Sequence, residues 1–241
     1  MKSIVLAAGK GSRISAKIGG VPKSVLPLTD GTPILRRSIE NMLDCDIEPV
    51  VCVGYKKEEI IKALEGLPVR YYINPFYSLA NNIATLWFAR EEFEDDDIIL
   101  TSADLYYPKS FLYRLKQSDA GLSMVVDSAR ITSGDFYFSL AADGTVAEYG
   151  PEVPLERRNF EYMGLLKIGR EKVPEVRMLI ERYIDEERFD KYFEDMILSM
   201  NMKGHEPIAF VDVQGSFWRE FDFYEDYQAI LAYERNGANG Q

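Results

Sequence analysis

An α/β fold is what this sequence predicts, on three grounds. Through the first half, short apolar runs alternate with amphipathic stretches, the pattern of strands linked by helices. The chain has 241 residues, 46% of them hydrophobic and 12% aromatic, enough for a sizeable core. It also lacks internal repeats, low-complexity tracts and linkers, so one domain is expected rather than an array. Residues 4–7 read as the first buried strand, followed by a long loop over 9–20. A helix over 33–43 has Thr32 in the N-cap place and Pro33 at the first helical position. Residues 49–53 form a second strand, and 56–64 a short helix stopped by Gly66 and Pro68. A third strand covers 69–73. The next helix, over 82–93, takes Asn81 or Asn82 as its cap. A fourth strand over 97–101 ends just before Asp104; a helix over 108–116 and a strand over 122–127 follow.

The second half changes character. Residues 136–140 alternate like a half-exposed strand, Asp143-Gly144 makes a turn, and 146–149 pairs back as a hairpin. A strand over 162–168 and a helix over 171–183 come next. Phe189, Tyr192, Phe193, Met196, Ile197 and Met200 fall at helical spacing and predict a further helix. Strands over 208–213 and 217–221 precede a closing helix over 225–235, and 236–241 reads as a disordered tail. Residues 1–235 are thus expected as one domain, with a lid inserted over about 130–205.

Charge and composition exclude several function classes. With 28 Lys+Arg against 39 Asp+Glu the net charge is −11, which argues against a nucleic-acid partner. No apolar run approaches the roughly 18–20 residues of a membrane span, and the N-terminal run meets Gly9 too soon for a signal peptide's apolar region. Cys45 and Cys52 are read as buried thiols in a reducing compartment, so a cytoplasmic location is expected.

Chemistry enters directly after the first strand, in Leu6-Ala7-Ala8-Gly9-Lys10-Gly11-Ser12-Arg13. Glycines at 9 and 11 let backbone N–H groups approach a phosphate, and Arg13 and Lys23, the latter within Pro22-Lys23, add two cations. The dinucleotide fingerprint is absent, because Ile14 holds the place of its third glycine; a G-x-x-x-x-G-K-[ST] loop is absent too.

The segment resembles the signature L-A-A-G-x-G-x-R followed by P-K of nucleoside-triphosphate-dependent nucleotidyltransferases. Asn74-Pro75-Phe76-Tyr77 with Asn81-Asn82-Ile83-Ala84-Thr85-Leu86 resembles a stretch of the bacterial choline-phosphate cytidylyltransferase branch, with Thr85 in place of serine. Ser102-Ala103-Asp104 and Glu220-Phe221-Asp222 resemble its two metal-binding aspartate segments, and residues 189–196 its lid helix. The resemblance covers nearly the whole chain. It implies a three-layer α/β/α Rossmann-like fold with a mixed, mostly parallel sheet and a small lid.

The implied reaction joins a phosphomonoester to the α-phosphate of CTP and releases pyrophosphate. Asp104 and Asp222 are expected to hold Mg²⁺, Lys23 to balance charge at the α-phosphate, and Arg13 to hold the β- and γ-phosphates. Leu6, Ala7, Ala8, Gly9, Lys10, Gly11, Tyr55 and Asn82 are the expected nucleotide contacts. Phosphocholine is the expected acceptor, its quaternary ammonium caged by Phe136 and Tyr192 at about 0.5–2 kcal/mol per cation–π contact, with Glu220 adding charge. Ser133-Gly134-Asp135-Phe136 also resembles enzymes acting on aminoalkyl phosphonates, where a primary amine would use Asp135 or Glu161. For Tyr192 a place in the helix core is the competing reading. The other readings left open are an inositol-phosphate cytidylyltransferase, a sugar-1-phosphate nucleotidyltransferase and a non-catalytic nucleotide-binding regulator. A monomer or homodimer is expected.

Overall fold

The computed structural model describes residues 1–201 and 207–238. His205, the only histidine, and residues 239–241 of the expected tail lie outside the described residues. The strands are β1 (Lys2–Ala7), β2 (Glu48–Val53), β3 (Arg70–Ile73), β4 (Ile98–Ser102), β5 (Leu105–Tyr106), β6 (Leu122–Asp127), β7 (Tyr137–Leu140), β8 (Val146–Gly150), β9 (Phe160–Ile168), β10 (Ile208–Asp212) and β11 (Arg219–Glu220). The helices are α1 (Ser12–Ser15), α2 (Ile34–Asp44), α3 (Lys57–Ala63), α4 (Asn82–Phe88), α5 (Ser110–Lys116), α6 (Val173–Asp185), α7 (Phe193–Asn201) and α8 (Tyr224–Ala238).

The main sheet runs β10-β6-β9-β4-β1-β2-β3, with the β7–β8 hairpin attached through β9. Pairing is parallel except along β9, which is antiparallel to both β4 and β6. Successive residues of the central strands serve opposite faces: Ile4, Val50 and Leu100 pack with α4, α6 and α7, while Val5, Val51 and Ile99 pack with α2, α3 and α5. Three layers result. A third cluster joins Ile14, Leu26, Ile34, Phe221, Tyr227 and Ile230, and so fastens the loop after β1 to the C-terminal helix α8. Ile14 is wholly buried there, which is why an apolar residue stands where a dinucleotide loop has glycine.

The elements differ from expectation at their ends. Residues 12–15 of the expected loop form α1, because Ile14 is drawn into the core. Pro33, not Thr32, is the residue before α2, and no side chain caps it. α4 ends at Phe88, and a 3-10 turn replaces its last residues. Of the strand expected over 217–221 only Arg219–Glu220 pairs, and α8 continues through Ala238 into the expected tail. The segment expected as a lid, about 130–205, contributes β9 to the middle of the sheet and α6 to its face. Only part of it therefore borders the cleft. Both cysteines are free and buried, and no described helix is long and apolar enough to cross a membrane.

Candidate active site

β1 and β4 lie side by side, Leu6 opposite Ser102, and the chain departs from their carboxyl ends in opposite directions across the sheet. A crevice at such a switch point is where open α/β sheets bind ligands. Here it is a cleft of about 1110 Å³.

The loop after β1 forms one wall. Gly11 adopts φ +59°, a left-handed conformation that suits glycine, and a Cβ built there would lie 3.1 Å from Cδ of Lys23. The missing side chain thus gives the aliphatic stem of Lys23 room to lie along the loop. Lys23 itself opens a 3-10 turn fixed by Pro22. Its ammonium ends 2.5 Å from Asp104 and 2.5 Å from Asp222.

The two aspartates, 118 residues apart in sequence, are brought together by a small antiparallel ribbon. β5, just past Asp104, pairs with β11, Leu105 opposite Glu220 and Tyr106 opposite Arg219. Phe221 N–H then donates to the Asp104 carbonyl at 3.0 Å. This register sets Glu220 and Asp222 beside Asp104. The second oxygen of Asp222 accepts from the Arg13 guanidinium. α5 begins beyond Lys109 without a cap from Asp104, and Asp222 is held by two cations rather than freely solvated.

Electrostatics bind this group tightly. Burial works to lower the Lys23 pKa, but Asp104 and Asp222 overcome it and hold the ammonium above its ordinary range. Burial works to raise Asp222, yet Lys23 and Arg13 keep it low. Glu220 stands open to the cleft's water but is crowded by protein; that crowding and the two aspartate charges push its carboxyl up to about 8. One oxygen from each of Asp104, Glu220 and Asp222 lies within 4.8 Å of the others. Asp104 Oδ1 is buried without a partner. Hard oxygen donors with an unused acceptor suit a small divalent cation such as Mg²⁺, which takes one or two carboxylates and completes its shell with water and phosphate. Glu220, expected on the acceptor side, thus joins the expected pair. The run Asp95-Asp96-Asp97 forms no such cluster: its members face Arg170, the N-terminal amine and Lys167.

Leu6, Ala7, Ala8, Gly9, Gly11, Arg13 and Asn82 all line the cleft. Lys10 and Tyr55 do not. The Tyr55 hydroxyl donates to Gly20 C=O at 3.2 Å, its ring faces the Lys10 ammonium at 5.9 Å, and it abuts Tyr77, which does line the cleft. Tyr55 thereby braces the loop at Gly20. Asn82 caps nothing on its own helix; its side-chain oxygen accepts from Phe193 N–H at 2.7 Å. Asn81 N–H donates to Phe189 C=O at 2.9 Å. These bonds hold 189–192 as a loop, so α7 begins at Phe193 and the helix expected from Phe189 is shorter. In the N-x-x-Y stretch, the Asn74 amide donates to the Thr85 hydroxyl at 2.8 Å, a bond that needs only the hydroxyl.

On the acceptor side, Phe136 lines the cleft among the rings of Phe138, Tyr149 and Tyr162. Tyr192 also lines it but is 55% exposed, outside the helix core that was its competing place. Asp135 is exposed at the rim. Glu161 is buried, 3.0 Å from the Arg130 guanidinium, and burial lifts its carboxyl to about 7. Among the further lining residues, Tyr162, Phe193 and Glu194 are not in the expected set of contacts. A glutamate at the head of an apolar helix gave the best available hint.

A family model for the MobA-like NTP transferase domain matches residues 3–136. The chain is 26% identical, over 92% of its length, to the CMP-5'-(3-aminopropyl)phosphonate synthase of Streptomyces rubellomurinus, of which it spans 35%. It is 24% identical over 96% of its length to the CTP:phosphoglutamine cytidylyltransferase of Campylobacter jejuni, spanning 99% of that protein. The fold matches the solved CTP:phosphocholine cytidylyltransferase of Streptococcus pneumoniae with a TM-score of 0.75 at 20% identity, covering 96% of this chain and 98% of that one. By the family match, and with the fold and cleft just described, this chain belongs to the MobA-like NTP transferases and is a nucleotidyltransferase.

Proposed function

We propose that the protein is a CTP-dependent cytidylyltransferase that transfers CMP to a small phosphorylated or phosphonylated alcohol with a cationic head group. Phosphocholine heads that class through the sequence resemblance, and aminoalkyl phosphonates join it through the Streptomyces relative. The observation that carries the reading is the meeting of Lys23, Asp104 and Asp222 at the mouth of the glycine loop. Two relatives whose names specify CTP or CMP chemistry support the choice of base.

In this reading an acceptor phosphate oxygen attacks the α-phosphorus of CTP. A new P–O bond forms as the bond to the bridging oxygen breaks, and pyrophosphate leaves with the electron pair. The attacking oxygen is already ionised at neutral pH, so no general base is needed. What the chain supplies is alignment and charge. Backbone N–H groups of Gly9, Lys10 and Gly11 receive the triphosphate, Arg13 pairs with its β- and γ-phosphates, and Lys23 offsets charge gathering at the α-phosphate and acceptor. Asp104 and Asp222, with Glu220 beside them, would hold Mg²⁺. That ion, when bound, supplies the positive charge that lets triphosphate and carboxylates share one cleft. Residues 1–235 serve as one nucleotidyltransferase domain, with the β7–β8 hairpin and the segment around Tyr192 bordering the acceptor. Its free buried thiols fit a cytoplasmic enzyme; a monomer or homodimer without a nucleic-acid or membrane partner is part of the same proposal.

The test is pyrophosphate release from CTP, UTP and dTTP across phosphocholine, 2-aminoethylphosphonate, inositol phosphate and glucose-1-phosphate. Release from CTP with a head-group acceptor is expected. Preference for a sugar phosphate with UTP or dTTP overturns the reading. CTP binding with no release for any acceptor makes the protein a regulator.

A further inference from the structure

Two of the buried polar atoms on residues that line the cleft have neither a hydrogen bond nor an ion pair among the described residues. Tyr162, on β9, is only 7% exposed and lines the cleft, yet its hydroxyl has no hydrogen-bond partner. Glu194, in the first turn of α7, lines the same cleft; the Asn82 side chain bonds its carboxylate, yet its Oε2 is buried without a partner. Among the described residues no lysine or arginine forms an ion pair with Glu194. The neighbouring carboxylates differ. Glu161 already faces Arg130, Asp135 is exposed at the rim, and Glu220 belongs to the carboxylate cluster. Phe136 and Phe193 complete the wall.

We propose that this end of the cleft is a subsite for a primary ammonium group, with Glu194 and Tyr162 as the residues that select it. The inference rests on the CMP-transfer reading above and narrows its acceptor to an aminoalkyl phosphonate or phosphate. A primary ammonium carries three N–H donors and one positive charge in a compact head. Its donors match what both unsatisfied oxygens lack, and its charge neutralises Glu194. A trimethylammonium has no N–H to give. It would cover both oxygens, exclude their water and leave them unbonded, the arrangement buried polar groups tolerate least. The ring of Phe136 attracts either cation and so does not discriminate strongly. Sites built to bond an N–H reject analogues that lack it far more steeply than apolar pockets reject an extra methyl.

Phosphoethanolamine and phosphocholine differ only in N-methylation and form the decisive pair. With CTP and Mg²⁺, the wild type should favour phosphoethanolamine in kcat/KM by about 100-fold, with 2-aminoethylphosphonate at least as good. Glu194→Gln should shrink the preference to within about 10-fold, raising KM for the amine while KM for CTP stays put. Tyr162→Phe should erode it by a factor of about 5. Equal or choline-favouring turnover by the wild type overturns the proposal. So does an unchanged ratio in a folded Glu194→Gln. If no acceptor releases pyrophosphate, the CMP-transfer reading falls, and calorimetric titration of the wild type with the same pair decides the subsite. Tighter binding of phosphoethanolamine supports it, and equal or weaker binding refutes it. Titration likewise serves if either variant fails to fold.

Discussion

The nucleotide side of the cleft and its acceptor side use similar residues in opposite ways. On the first, charge is mostly paired within the chain: Lys23 lies 2.5 Å from both Asp104 and Asp222, and Arg13 takes the remaining Asp222 oxygen, which leaves Asp104 Oδ1 for a cation. On the second, the Tyr162 hydroxyl and Glu194 Oε2 are buried with no hydrogen-bond partner among the described residues. A paired site is rigid before its ligand arrives and must exchange partners to work. An unpaired site is held in a less stable state that a ligand of matching chemistry relieves. The first arrangement suits a polyanion accompanied by a cation; the second suits a donor-rich head group.

The largest effect should come from breaking the paired side. Chelating divalent cations should abolish turnover, and Asp104→Ala should lower kcat by on the order of 10³-fold, since a metal at a reacting phosphate is worth several kcal/mol. Thermal stability of Asp104→Ala should hold, because Lys23 keeps Asp222 as a partner. Full turnover in excess chelator removes the metal from the reading.

Lys23→Ala comes next, with a loss of about 100-fold concentrated in kcat, as for the removal of one donor aimed at developing charge. It should also cost stability with a defined pH dependence. The folded Asp222 is held below its ordinary pKa, so its stabilisation is present above the ordinary carboxylate value and lost as pH falls through the folded one. The variant should therefore lag the wild type at pH 7 and converge with it in acid. A loss confined to KM assigns Lys23 to ground-state binding instead.

Gly11→Ala tests the loop without touching a charge. The left-handed backbone should cost roughly 1–2 kcal/mol, about 3–6 °C in Tm for a chain of this size. The new Cβ, 3.1 Å from the Lys23 stem, should shift that ammonium and lower kcat/KM by about 10-fold. A stability loss with unchanged kcat would mean Lys23 adapts.

The same contrast explains what could be read in advance. The glycine loop, Pro22-Lys23 and Ser102-Ala103-Asp104 are contiguous, each tied to a strand end, so their chemistry is legible locally. Asp222 was legible only by resemblance, because the β5–β11 ribbon that brings it to Asp104 is two residues long on each side and has no periodicity. Tyr55 and the Lys10 side chain are absent from the cleft lining, because adjacency to the loop does not say which side of it a side chain takes. β9 reads as an ordinary apolar strand, and nothing local announces that it enters the sheet between β4 and β6. Tyr162 and Glu194 owe their importance to buried oxygens without partners, a property of the packed chain that no motif encodes.

The smallest effect isolates the unpaired side in the free protein. Burial lifts the Glu194 carboxyl to about 7 from an ordinary value of 4.5. A carboxyl with a raised folded pKa binds its proton more tightly in the folded chain than in the unfolded one. Its presence therefore costs nothing below about pH 4.5, lowers stability progressively between 4.5 and 7, and costs a constant amount above that. Glutamine mimics the protonated form at every pH. Glu194→Gln should match the wild type in Tm near pH 4 and exceed it at pH 8. Asp222 variants should show no such gain, since that charge already has Lys23 and Arg13 as partners. Added phosphoethanolamine should close the gap, because an ammonium beside Glu194 stabilises the carboxylate that glutamine lacks. A Tm difference flat across pH 4–8 would mean that the cleft's water already solvates Glu194, and the contrast between the two sides would then rest on Tyr162 alone.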